Sequence, residues 1–241
     1  MAFPCSGCKV ECVSEMAGTY LLVFFGPASV IVAPLIGFQF SLEALVFVAL
    51  VFGGTVASVI LLLGKHSGAH INPAVSLANL FSGRFEKRLF PAYVLFQVAG
   101  GLLAGFSLWI VFGSLSSPTF LGSTRLAPGI TPLEGVLLEA AGTFILALSA
   151  LSASSFVRAS VRQAALVGGT LFLLILFIGP LTGASFNPSR TLGPSLFSGY
   201  FSNQLVYWVG PLLGGACAGL LFGALRKTHG RSRRLPTVCM C

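Results

Sequence analysis

The chain has 241 residues, 55% of them hydrophobic and 8% charged, with a mean hydropathy of +0.93 and a formal net charge of +8. Soluble domains carry about 25% charged residues, so this composition excludes a soluble globular fold and places the chain in lipid. The positive surplus invites a nucleic-acid partner, and its distribution along the chain excludes one.

A helix needs roughly 20 apolar residues to cross a hydrocarbon core about 30 Å thick. Six such runs follow one another, at about 13–35, 42–63, 90–112, 132–152, 164–181 and 204–225. They predict an all-α membrane protein forming one domain over 1–241, with short tails at 1–11 and 226–241. The first run is longer than the apolar core of a signal peptide, and no Ala-x-Ala cleavage site follows it, so it reads as a retained span.

Lys9, Lys65, Arg84, Lys87, Arg88, Arg158, Arg162 and the cluster Arg226, Lys227, Arg231, Arg233 and Arg234 all fall on one side of this six-span arrangement. Only Arg125 falls on the other, and Arg190 stands apart. By the positive-inside rule both termini are cytoplasmic, and the basic tail can also touch anionic lipid. No particular membrane is indicated. Five of the six cysteines (Cys5, Cys8 and Cys12 before the first span, Cys239 and Cys241 at the end) then face a reducing compartment, while Cys217 sits in the last span. No metal-ligand spacing appears among them, and no cofactor or metal is expected.

The chain repeats itself. Glu15-Met16-Ala17-Gly18-Thr19 recurs as Glu139-Ala140-Ala141-Gly142-Thr143, and Gly68-Ala69-His70-Ile71-Asn72-Pro73-Ala74 as Gly183-Ala184-Ser185-Phe186-Asn187-Pro188-Ser189. Leu80-Phe81-Ser82-Gly83 is echoed by Leu196-Phe197-Ser198-Gly199, and Gly100-Gly101-x-x-x-Gly105 by Gly214-Gly215-x-x-x-Gly219. The repeats cover about 12–112 and 132–225 and hold three spans each. Three is odd, so the second repeat runs upside down relative to the first. Inverted repeats place their functional site near the midplane, where the halves meet.

Each Asn-Pro pair starts a short helix: Asn caps, and Pro at the first helical position lacks only a donor that would be orphaned anyway. Gly83 and Gly199 stop them. About ten residues give about 15 Å, half a membrane. Inversion makes the two half-helices enter from opposite faces, so two positive dipole ends meet at the centre, together with the side-chain amides of Asn72 and Asn187. An oxygen accepting from both amides is oriented there. A single file cannot easily relay a proton past that point, and cations face a positive barrier.

These landmarks resemble the aquaporin (major intrinsic protein) family over nearly the whole chain. Asn72-Pro73-Ala74 is similar to the family's first Asn-Pro-Ala box, and Asn187-Pro188-Ser189-Arg190 to its second, with Ser189 in place of the usual Ala. The barrier just described is the one known for aquaporin-type pores. The resemblance implies six tilted helices plus two re-entrant half-helices, homotetramers with one pore per subunit, and passage of water, with glycerol, ammonia or hydrogen peroxide as further candidates. It also implies buried support from Glu15, Gln97 and Glu139, which is physically apt because a carboxylate inside an apolar span must turn inward and find partners. His70 would line the pore.

The family's constriction maps onto Phe52, Ile175, Ala184 and Arg190. Strict water channels usually carry His where Ile175 stands, so this filter is more apolar, and Ala184 adds room. Thr191 after Arg190, where glycerol specialists usually carry Asp, argues against that subgroup. Ser189 could add a hydroxyl to the lining, and His66 with His70 could make gating pH-sensitive. A glycerol-type facilitator with water secondary is the alternative, and a junctional role a distant third. A coupled transporter would need a midplane ionisable pair, yet the chain contains no Asp and its buried glutamates occupy supporting places. No nucleophile–His–carboxylate set suggests an enzyme.

Overall fold

The computed structural model describes residues 6–38, 41–153 and 160–228. In chain order they form α1 (Ser6–Leu35), α2 (Leu42–Ser67), α3 (Pro73–Phe81), α4 (Phe90–Phe112), a kinked 3-10 segment (Gly113–Gly122), α5 (Pro132–Ala153), α6 (Val161–Thr182), α7 (Pro188–Ser198) and α8 (Val206–Thr228). Six of the helices in the described residues are long and apolar enough to cross a membrane; α3 and α7, with 9 and 11 residues, are not.

The same local devices bound corresponding helices. Ser41 caps α2 by accepting the Ala44 N–H, and Ser160 caps α6 by accepting the Gln163 N–H. Both helices end on a left-handed glycine, Gly68 at φ +87° and Gly183 at φ +80°, and these turn the chain back toward the midplane.

α1 begins at Ser6, and its stretch long and apolar enough to cross a membrane begins at Lys9, earlier than the expected start at 13. Glu11 and Cys12 lie inside this helix, 3% and 0% exposed, and Cys12 packs against Leu89 and Tyr93. Cys12 therefore does not precede the first span. Tertiary contact recruits a turn whose own hydropathy does not ask for burial. Cys5, Arg158, Arg231, Arg233, Arg234, Cys239 and Cys241 lie outside the described residues.

Within each half the long helices pack together, α1 with α2 and α4, α5 with α6 and α8, and α2 against α6 joins the halves. The half-helices are exchanged: α3 lies against α8, and α7 against α4. The repeated glycines make these crossings possible. A Cβ on Gly101 or Gly105 would strike the α7 backbone at Ser189 or Gly193, and one on Gly215 or Gly219 the α3 backbone at Ala74 or Ala78. Their neighbours Gly100 and Gly214, about 100° round the helix, face a different helix, at the backbones of Met16 and Ala140. Each glycine pair is thus a two-sided wedge, which brings backbones closer than any side chain permits.

Candidate permeation pathway

The site grows from the two loops that precede the half-helices. In both, alternate residues take the left-handed conformation: Ala69 and Ile71 at φ 49° and 45°, Ala184 and Phe186 at φ 46° and 52°. A non-glycine residue held there costs on the order of 1–3 kcal/mol, so something must hold it. Buried glutamates do. Glu15 accepts the His70 N–H at 2.9 Å, the Ile71 N–H, and the Gln97 amide at 2.7 Å. Glu139 accepts the Ser185 N–H at 3.0 Å, the Phe186 N–H at 2.7 Å and the Thr182 hydroxyl at 2.7 Å. Because a trans peptide sets its C=O opposite its N–H, the carbonyls of Ala69, His70, Ala184 and Ser185 all turn away from these carboxylates. Ala69, His70, Ala184 and Ser185 line a cavity, while Glu15, Gln97 and Glu139 stand behind it.

Two tyrosines complete the brace. Tyr93 donates to the Ser67 carbonyl at 2.9 Å and Tyr207 to the Thr182 carbonyl at 2.8 Å, where α2 and α6 end. Neither was singled out from sequence. The signal was present, because Tyr93 precedes Gly100 by the same interval as Tyr207 precedes Gly214.

Asn72 and Asn187 cap their half-helices in the expected manner, accepting the Ala74 N–H at 2.8 Å and the Ser189 N–H at 3.0 Å. Their amides also cross. Asn72 Nδ2 donates to the Phe186 carbonyl at 2.7 Å, and Asn187 Nδ2 donates to the Ile71 carbonyl at 2.9 Å. Each NH2 group carries two hydrogens, so one locks the opposite loop and one remains. Pro73 and Pro188 are thereby held at one place, tip to tip.

The cavity has a volume of about 130 Å³. A cavity needs about 10–15 Å³ of probe-occupied space to hold one water, so this one has room for several. Its apolar side comes from helix stripes four residues apart: Phe52, Val56, Ile60 and Gly64 on α2, and Val167 and Leu171 on α6, with Leu146 and Ala150 on α5; Gln163, one turn before Val167, adds a polar group to the α6 stripe. The loop carbonyls and the two Asn residues form its polar side.

At one end the wall reaches Phe52, Ala184 and Arg190. The Arg190 guanidinium lies 5.1 Å from the centre of the Phe52 ring, and its Nη1 donates to the Gly122 carbonyl at 2.9 Å. Ile175 continues the α6 stripe one turn beyond Leu171, next to Gly179 and Ala184, but is not part of the cavity wall. At the other end the mouth is bordered by Glu11, Arg84, Phe85 and Glu86. Burial, and then the nearby Arg226, lower the Arg84 pKa to about 10, and its guanidinium sits over the Phe222 ring at 4.6 Å. His70 belongs to the lining, its Nδ1 3.2 Å from the Ser76 hydroxyl and its ring against Phe85 and Tyr93. His66 lies outside the cavity wall.

Ser189 departs from expectation. It is fully buried beside Gly101, off the cavity wall, and its hydroxyl has no hydrogen-bond partner among the described residues. Helix phase turns it toward α4, so it adds nothing to the lining. An unsatisfied buried hydroxyl costs about 1–3 kcal/mol, so Ser189→Ala is expected to stabilise the protein by about 1 kcal/mol. A raised unfolding midpoint in detergent would register this, and a lowered one would contradict it. Thr191 is likewise off the wall, bonded to the hydroxyls of Ser185 and Thr124.

The family model described as "Major intrinsic protein" matches residues 6–222. Aquaporin NIP1-1 of Zea mays is 36% identical over 222 residues, covering 90% of this chain and 75% of that one. Aquaporin NIP1-1 of Arabidopsis thaliana is 36% identical over 223 residues, covering 90% and 73%. The X-ray structure of the aquaglyceroporin from Plasmodium falciparum superposes with a TM-score of 0.75 over 91% of this chain and 95% of that one, at 24% identity, a likeness of fold. The chain belongs to the major intrinsic protein family, and is a multi-pass membrane channel of the kind that passes water or small solutes without catalysis.

Proposed function

We propose that the principal permeant is water, followed by small neutral solutes such as glycerol, ammonia or hydrogen peroxide, with protons and ions excluded. The observation that carries this reading is the crossed pair of amides, Asn72 to Phe186 and Asn187 to Ile71, at the junction of two half-helix N-termini. A water passing there meets one free N–H from each Asn, and both dipole ends oppose a cation. Its oxygen is held by two donors, so its hydrogens point outward along the file and the proton relay breaks. Elsewhere water exchanges bonds with the carbonyls of Ala69, His70, Ala184 and Ser185 while the apolar wall holds nothing back. The buried glutamates are tied to backbone N–H groups and act as braces.

Phe52, Ala184, Arg190 and Ile175 are the proposed filter, with Ile175 bordering its outer end. Both termini are proposed to be cytoplasmic, because the basic residues Lys65, Arg84, Lys87, Arg88, Arg226 and Lys227 share the face on which α1 begins. Assembly is proposed to be a homotetramer with one pore per subunit, in keeping with the family.

Stopped-flow light scattering on proteoliposomes compares osmotic water entry with glycerol entry in one preparation. Rapid water entry with slower glycerol entry supports the reading; glycerol entering while water lags reverses the order. That reversed order, a solute facilitator, is the second reading, favoured by the small Ala184 and the apolar Ile175 at the filter. Ile175→His is expected to lower the glycerol-to-water ratio about tenfold or more, the scale on which a fitted site discriminates a small group. An unchanged ratio would remove Ile175 from the filter.

A further inference from the structure

We infer that Gly26 of α1 sets the aperture of the filter, by leaving bare backbone on which the Phe52 ring lies. A Cβ built at Gly26 would sit 2.6 Å from ring carbon Cδ1 of Phe52 and closer still to Cε1 and Cζ. Real Cβ atoms do not come nearer than about 3.0 Å to another heavy atom, so the ring keeps its place only while residue 26 has no side chain. Arg190 stands 5.1 Å from the ring centre, and Phe52 borders the cavity. Space to receive a displaced ring therefore lies in the lumen, beside the guanidinium.

The helices cannot readily separate to accept the ring instead. Two turns away, Gly18 seats Val59 and Ile71 so closely that a Cβ there would lie 2.8 and 2.6 Å from their side chains. This second glycine clamps α1 onto α2. The residue after Gly26 serves the other wall: Pro27 abuts Gly122, at φ +69°, leaving a Cβ there only 2.7 Å from the Pro27 carbonyl oxygen. Gly122 in turn holds Arg190 through its own carbonyl. Adjacent residues of α1 thus position both the aromatic and the cationic side of the constriction. Gly26 is a positioning residue that touches no permeant and acts through Phe52.

The inference rests on the proposal that Phe52 borders the selectivity filter. Its test measures glycerol and osmotic water entry in proteoliposomes holding the full chain, G26A, F52V, or G26A with F52V. In G26A the glycerol-to-water ratio is expected to fall about tenfold, because the ring intrudes on the wider permeant first. F52V alone is expected to raise the ratio. Valine lacks the three ring carbons that clash, so G26A with F52V is expected to match F52V alone within about twofold, well inside the least discrimination expected of a fitted site. A G26A ratio equal to that of the native chain, with F52V altered, overturns the inference and leaves the filter reading standing. An unchanged ratio in F52V overturns both. A G26A protein that fails to fold while the double variant folds shows a packing role alone and overturns the aperture.

Discussion

Arg190→Val is expected to leak cations and to admit wider solutes than the native chain. Arg190 is 3% exposed, on the first turn of α7, with its guanidinium pinned between the Phe52 ring and the Gly122 carbonyl. A unit charge 4 Å from a passing cation, at an effective dielectric constant near 20, opposes it by about 4 kcal/mol. At 1.4 kcal/mol per tenfold, that is a factor of roughly a thousand. The two half-helix dipoles remain, each equivalent to about half a charge, so the gain stays below that ceiling. The guanidinium also occupies volume in the lumen, and valine vacates it. Water entry is expected to rise modestly, glycerol entry more, and cation conductance in planar bilayers is expected to exceed that of the native chain. A variant that stays sealed to sodium and unchanged toward glycerol would move the constriction elsewhere.

Glu139→Leu is expected to abolish the folded channel. Leucine approximates the volume of glutamate and suits an apolar span, so hydropathy alone predicts a gain. The structure predicts the reverse. The Glu139 carboxylate accepts from Thr182, Ser185 and Phe186, and all four residues are buried. Removing it orphans two backbone N–H groups and a hydroxyl, at about 1–3 kcal/mol each. The left-handed Ala184 and Phe186 also lose what holds them. The sum is on the order of 5 kcal/mol, comparable to the whole stability of many folded domains. Glu139→Gln keeps one acceptor and should fall between. The readout is the monodisperse fraction and thermal midpoint in detergent, with Glu15→Leu as the counterpart in the first repeat. A leucine variant as stable as the native chain would mean that the loop holds itself.

Much of this organisation is legible in one dimension. Span length is set by bilayer thickness, so six apolar runs mark six crossings whatever they pack against. Inversion follows from the parity of three spans per repeat. Asn-Pro starts a helix and a glycine ends it by local stereochemistry, so α3 and α7 were readable as half-helices before any contact was known. A carboxylate in an apolar run must turn inward, which singled out Glu15 and Glu139. The early start of α1 was not readable, because Cys12 is buried by Leu89 and Tyr93 rather than by its own neighbours.

What only the tertiary structure decided is which backbone each side chain meets, because that depends on helix phase and on partners far away in the chain. Ser189 belongs to a pore motif by position, yet helix phase turns it onto Gly101. Ile175 shares the α6 stripe with Leu171 but stands beyond the cavity wall. The half-helices pack on the opposite repeat, α3 on α8 and α7 on α4, an exchange that no local preference encodes. Gly26 reads in sequence as one more glycine in a membrane helix. Its place under the Phe52 ring exists only once α1 and α2 lie side by side, because steric exclusion acts between surfaces that only folding brings together.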